Sequence, residues 1–271
     1  MASAMKAKKP GWVDWFGLDD TNDIFAGTKG ADWARGLSGD DQLSGASGND
    51  LLEGGAGADL LNGGNGNDVL YGDSIAPIVV DPLVSYDDVL SGGNGKDLLF
   101  GQEGNDTLFG GNGIDALSGG VGDDVLDGGN GKDWLDGGEG ADVLSGGNAK
   151  DVLKGGLGAD VLTGGQGADR FVFDALDAVD TITDFRPNLD KIVLDDAMFT
   201  GLAATWRGQL AAGSFSVDPA TAPLDQAYIG YDAATGALYY DSDGVIGEVA
   251  AVQFAQLDGA PEISAADFAI A

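Results

Sequence analysis

The chain has 271 residues, 45 of them acidic against 13 basic, giving a formal net charge of −32. Such a chain repels nucleic acid and anionic membranes, so neither is an expected partner. Cysteine and histidine are both absent, which excludes disulfides, thiolate and Ser-His catalysis, and the usual zinc and copper ligands; only oxygen donors remain, and these suit hard cations.

The first segment, residues 1–17, carries Lys6, Lys8 and Lys9 with no apolar core after them. It is not a cleavable signal peptide and reads as a flexible or capping piece. No run in the chain reaches the length of a membrane-spanning helix. From Leu18 a nine-residue repeat takes over. Gly63 to Tyr71 reads GGNGNDVLY and Gly128 to Asp136 reads GGNGKDWLD. Placing position 1 at Gly63, one register runs from Leu18 to Gly72 and a second, offset by two residues, from Leu83 to Val172. The break, residues 73–84, reads as a loop bulging from a continuous stack rather than as a linker between domains.

Position 6 is aspartate in every copy. These are Asp23, Asp32, Asp41, Asp50, Asp59 and Asp68, then Asp88, Asp97, Asp106, Asp115, Asp124, Asp133, Asp142, Asp151, Asp160 and Asp169. Position 8 is leucine or phenylalanine, from Phe25 to Phe171, with Ala34 as the exception. Position 4 is glycine except at Thr21, Tyr86 and Ala149. Positions 7 to 9 therefore form a short strand whose alternation points position 8 to one face. Positions 1 to 6 reverse the chain, and glycine permits the positive φ angles that such a tight reversal requires. Two copies make one coil with a strand in each of two sheets, so the stack holds about eight coils and extends about 40 Å at a strand spacing of ~4.8 Å. Position-6 carboxylates of successive coils then lie close together, and their repulsion calls for a cation between them.

This pattern, GGxGxDxUx, resembles the RTX (hemolysin-type) calcium-binding family over a little more than half of the chain. The resemblance implies an all-β, right-handed parallel β-roll (a β-solenoid) spanning residues 18–172, with a C-terminal β cap. It also implies calcium as the cofactor, roughly a dozen ions, with the sixteen position-6 aspartates as ligands. In the family each ion bridges repeat n and repeat n+2, which would pair Asp50 with Asp68 and Asp106 with Asp124. Thr28, Leu37, Ala46, Asp73 and Gln102 replace the second glycine, and Ala149 replaces the position-4 glycine in the copy that ends on Asp151. The first copy lacks all three glycines and reads as a cap, as terminal repeats of solenoids do. Position 7 is apolar at Ile24, Leu60, Val125, Trp134 and Val161. β-propensity with partial cover by neighbours explains this stripe, and an adhesive surface is the alternative.

Residues 173–271 carry no further repeats. Strands are expected at Asp180–Phe185 and Lys191–Leu194 with a turn at Pro187-Asn188, covering the open end of the roll. A hairpin is expected around Asp232–Gly236, and Asp241-Ser242-Asp243-Gly244 is a weak additional cation candidate. The tail Asp267-Phe268-Ala269-Ile270-Ala271 resembles the uncleaved export signal of type I secretion substrates; an ordinary final strand is the other reading.

Taken with these features, the resemblance implies a bacterial extracellular protein, exported by type I secretion machinery, that binds calcium; a cell-surface or matrix partner is an expectation beside it. Relatives carry such rolls behind zinc proteases, lipases and alginate epimerases, but no HExxH, triad or GxSxG stands in this sequence and nothing before Leu18 is long enough for a catalytic domain. A non-enzymatic calcium-binding role is therefore expected. The alternatives are a calcium-dependent secreted effector, of nodulation or membrane-active type, or the roll module of a larger hydrolase system.

Overall fold

Each position-8 side chain is apolar and each following turn is glycine-rich, so the chain can neither extend nor form a helix; it coils. The computed structural model describes residues 14–16, 21–74, 86–217, 226–244 and 250–271. It divides into two compact units, Met1–Glu139 and Gly140–Ala271.

In the first unit one parallel sheet contains, in order, Asp14–Phe16, Trp33–Ser38, Leu51–Ala56, Val69–Tyr71, Leu98–Glu103, Ala116–Val121 and Trp134–Glu139. The other contains Ile24–Ala26, Gln42–Ser44, Leu60–Asn65, Val89–Gly95, Thr107–Gly113 and Val125–Gly131. Strands alternate between the sheets, and paired residues are two copies apart: Leu52 faces Leu70, and Leu108 faces Leu126. Position-8 side chains are buried throughout, from Leu43 and Leu52 to Leu126 and Leu135. Burying a leucine side chain contributes about 1.5–3 kcal/mol, so this single column per sheet supplies the apolar core. Position 7 points outward, with Ile24 77% and Trp134 56% exposed. At position 3, Asn65, Asn94, Asn112 and Asn130 form an amide ladder with bonds of 2.9–3.0 Å.

The two sequence registers belong to one stack. Leu70 pairs with Leu99 and Leu61 with Leu90 across the break. The offset is an insertion inside one turn: Gly72, Asp73 and Ser74 supply its first three positions, and Tyr86, Asp87 and Asp88 complete it. Asp73 stays within the coil and is fully buried, while residues 75–85 lie outside the described residues, as do most of residues 1–20.

In the second unit, Val152–Leu157, Arg170–Phe173, Lys191–Leu194 and Phe268–Ile270 form one parallel sheet. The other runs Val143–Ser145, Val161–Thr163, Asp180–Ile182 and Val252–Leu257 in parallel, then Ala237–Asp241 and Tyr228–Asp232 antiparallel, and Phe215–Ser216. The expected hairpin is present, with Tyr231 facing Leu238. Lys191–Leu194 is a strand as expected, the expected strand Asp180–Phe185 is confined to Asp180–Ile182, and both cover the exposed edge of the repeats by pairing with it. They stack on Val161–Thr163 and Arg170–Phe173 in register and add another coil. The tail Phe268–Ile270 is the next strand of that sheet. Phe173, Phe199 and Phe254 pack edge-on in the adjoining core.

Turn geometry calls for glycine at position 4, where successive coils approach most closely. Gly66 has φ +145°, and a β-carbon there would overlap the carbonyl oxygen of Gly48 in the coil before. Ala149 occupies the same position at φ 91°, a conformation that costs an L-residue about 1–2 kcal/mol. Ala149→Gly should therefore stabilise the calcium-loaded protein by about 1 kcal/mol after the added unfolded-state entropy is subtracted. Gly66→Ala should destabilise it strongly. Thermal denaturation of both variants at fixed calcium checks the pair.

Candidate metal-binding site

From Asp32 onward each turn delivers its position-6 aspartate to the inside of the coil edge, where the side chain is buried; Asp23 in the first copy is half-buried. One carboxylate oxygen, Oδ1, accepts the backbone N–H of the aspartate one coil earlier. Asp41 accepts from Asp23 at 2.7 Å, Asp59 from Asp41 at 2.7 Å, Asp88 from Asp59 at 2.7 Å, and Asp106 from Asp88 at 2.7 Å. On the opposite edge Asp50 accepts from Asp32, Asp68 from Asp50, Asp97 from Asp68 and Asp115 from Asp97, at 2.8–2.9 Å. Asp124 and Asp133 accept in the same way from Asp106 and Asp115. In the second unit Asp160 accepts from Asp142 and Asp169 from Asp151. The sequence pairs Asp50–Asp68 and Asp106–Asp124 are thus neighbours, joined through main chain.

The second oxygen, Oδ2, is different. In Asp41, Asp50, Asp59, Asp68, Asp88, Asp97, Asp106 and Asp115 it is buried and accepts no hydrogen bond from the protein. It leans on the position-1 glycine of its own turn. A β-carbon at Gly92 would stand 2.6 Å from Asp97 Oδ2 and 2.8 Å from the carbonyl oxygen of Gly110 in the next coil. At Gly110 the corresponding distances are 2.9 Å to Asp115 Oδ2 and 2.8 Å to the Gly128 carbonyl. Two anionic or dipolar oxygens from adjacent coils therefore crowd one spot, and no protein N–H reaches the carboxylate oxygen. Among the described residues no three side-chain ligands converge, so carboxylate and main-chain oxygens must act together. This donor set is all oxygen, carries negative charge and resembles the mixed carboxylate–carbonyl cages that calcium takes at 2.3–2.6 Å. The residues fit a hard divalent cation.

The electrostatics point the same way. Burial, with neighbouring aspartates adding to it, pushes the Asp59 carboxyl up to about 7 and Asp106 up to about 8. Asp88, flanked by Asp59, Asp106 and Asp73, is pushed up to about 10, again chiefly by burial. Two carboxylates ~4.8 Å apart repel by about 3–4 kcal/mol at an effective dielectric of about 20. A fully ionised column without counter-charge is therefore strongly self-destabilising.

Both kinds of exception are informative. At Asp32 the Thr28 hydroxyl lies 3.0 Å from Oδ2 and the Thr28 N–H also donates to it, so that carboxylate is already satisfied. Beyond the last repeat, Arg186 takes the place of a cation. Its guanidinium reaches Asp169 Oδ2 at 3.1 Å, Asp190 Oδ2 at 3.3 Å and the position-4 carbonyl of Gly167 at 2.9 Å. Asp190 is the ladder neighbour of Asp169, accepting its N–H at 3.0 Å, and Asp180 is that of Asp160 at 3.0 Å. Asp180 and Asp190 were not among the sequence candidates. Their signal was the local Asp-x-Ile of Asp180–Ile182 and Asp190–Ile192, hidden by a spacing of 20 and 21 residues instead of 18. Asp267, ahead of the last strand, accepts the N–H groups of Ser264 and Asn188 rather than that of Asp190. Asp241 accepts the N–H groups of Asp243 and Gly244 and so shapes its own turn.

The family model for the RTX calcium-binding nonapeptide repeat matches residues 19–52, 44–74, 84–117, 109–144 and 145–176. Among solved structures the chain is similar to the AlgE6R3 subunit of the Azotobacter vinelandii mannuronan C5-epimerase. The match has 24% identity, covers 72% of this chain and 85% of that one, and has a TM-score of 0.20. No curated protein matches.

Two outcomes follow from this geometry. Carboxyls raised above their ordinary 3.8 hold protons in the metal-free fold that the unfolded chain releases. Their contribution to stability is complete below pH ~4 and is lost as pH rises through about 6 at Asp41, Asp50 and Asp97, about 7 at Asp59 and about 8 at Asp106. Metal-free protein should therefore gain β-structure on acidification and lose it by pH 8, as circular dichroism would show. Arg186→Gln removes the tethered cation, so the Asp169–Asp190 pair should take up one additional calcium, counted by equilibrium dialysis.

Proposed function

The chain belongs to the RTX calcium-binding nonapeptide-repeat family, and on that premise we propose that it is a secreted, non-enzymatic protein that folds on binding calcium outside the cell and serves a surface, matrix or interaction role. The observation that carries this reading is the column of buried carboxylates, in which the position-6 aspartates from Asp41 to Asp115 each have one oxygen held by main chain and the other without a protein donor. Such a column disfavours the coil until divalent ions enter it, so binding free energy becomes folding free energy. Extracellular calcium modules bind at about 10⁻⁴–10⁻³ M. At the far lower calcium of a cytoplasm this chain stays open, and it closes on reaching the outside.

That order of events also suits export. The terminal strand Phe268–Ile270 is hydrogen-bonded into a sheet beside Lys191–Leu194, so a secretion system reads this tail only in the unfolded chain. Type I machinery takes such unfolded chains, and calcium then locks the tail away. A non-enzymatic role is supported by the absence of histidine and cysteine, and by carboxylates that are committed to turns rather than grouped in a cleft.

The test compares calcium midpoints for folding at pH 7.5 by circular dichroism. Wild-type protein should be largely disordered in chelator and β-rich in millimolar calcium. Asp97→Asn, in the middle of an edge, should raise the midpoint about tenfold through the loss of ligand charge. Asp32→Asn, whose carboxylate Thr28 already satisfies, should shift it much less. A chelator-treated sample that keeps its full β-spectrum contradicts the proposal. Secretion is tested by expressing the full chain beside a type I exporter: the protein should appear outside the cell, and a chain lacking residues 264–271 should be retained.

A further inference from the structure

We propose that the turn split by the insertion is a distinct calcium site, built around Asp73 and Asp88, and the tightest of the series. The inference rests on the calcium reading above and adds a ligand that the repeat pattern does not contain. Position 2 of a turn is glycine in most copies, at Gly64, Gly93 and Gly111 for example, and where it is not, the substitute is Thr28, Leu37, Ala46 or Gln102, apart from Asp19 in the degenerate first copy. Asp73 places a carboxylate there.

That side chain is not a surface decoration. Asp73 is 0% exposed. Its Oδ2 accepts the N–H of Glu103 at 3.0 Å, which fixes the carboxylate between two coils. Its Oδ1 is buried and no protein group donates to it. One coil on, at the equivalent position, Gln102 presents a buried Oε1 that likewise has no donor. Asp88 Oδ2, also without a donor, leans on Gly72 next to the carbonyl oxygen of Gly101, 2.6 Å from where a β-carbon on Gly72 would stand. The ordinary turn offers one free carboxylate oxygen and main-chain carbonyls. This one adds a second carboxylate, Asp73, close enough to Asp88 to act on its charge, and the Gln102 amide oxygen stands at the same turn position one coil on. Calcium affinity rises with the number of charged ligands and with the rigidity of the site, and Asp73 contributes to both.

The experiment is calcium titration of the full chain by isothermal calorimetry, comparing wild type with Asp73→Asn, Asp73→Gly and the control Asp87→Asn. Asp87 is exposed, lies in the same turn, and loses the same formal charge without removing a buried oxygen. Wild type should show a first ion bound about tenfold more tightly than the rest, a difference of about 1.4 kcal/mol. Both Asp73 variants should lose that first step yet still fold and bind the remaining ions, and Asp87→Asn should keep it. A first step unchanged in Asp73→Asn and Asp73→Gly, or weakened equally by Asp87→Asn, overturns the site. If wild type binds no calcium at all, the calcium reading itself fails, and the site fails with it.

Discussion

From Asp41 to Asp115 the position-6 aspartates are buried carboxylates of which the protein satisfies only half. The main chain supplies one donor per aspartate, the N–H of the aspartate a coil earlier, and that bond stitches neighbouring coils together. The other oxygen meets a glycine Cα and a carbonyl. The same contact that builds the ladder thus makes it incomplete, since an unpaired buried acceptor costs about 1–3 kcal/mol and a charged one more. Stability is conditional on a cation, and the repeat is a device for sharing that condition along the stack.

Other features follow from that constraint. Position 1 is glycine because the carboxylate packs where a β-carbon would go, as at Gly92 and Gly110. Position 8 is leucine because a coil with a strand per sheet has room for one apolar residue on each side. The last satisfied members show how the protein ends such a column without metal. Thr28 donates a hydroxyl and an N–H to Asp32, while Arg186 provides a tethered positive charge between Asp169 and Asp190. Asp267, held by Ser264 and Asn188 with Lys191 3.8 Å away, is saturated by protein groups as well.

The nine-residue period exposed the two-sheet coil, the buried leucines from Leu43 to Leu135 in one unit and from Leu144 to Leu162 in the other, and the stacking of successive aspartates, because each depends on spacing alone. It also joined the two registers across the break correctly. What it concealed depends on departures from period. Asp180 and Asp190 continue the ladder after longer loops, so their distance from Asp160 and Asp169 no longer marks them. Arg186 acts through space, from a turn that the pattern treats as a simple cover. Asp73 looked like the first residue of a loop, yet its coil position is set by Tyr71 pairing with Phe100 beside it. The tail illustrates a different limit: a short apolar segment reads equally as a signal and as a strand, and in the folded protein it is a strand.

The most direct measurement is hydrogen–deuterium exchange at the backbone amides of Asp41, Asp50, Asp59, Asp68 and Asp97, each of which donates to a carboxylate in the next coil. With millimolar calcium at pH 7.5 these amides should exchange slowly and as one cooperative group. In chelator at the same pH they should exchange at the rate of an unfolded chain. Protection that survives the chelator would mean that the ladder stands without its cations, and would contradict the account.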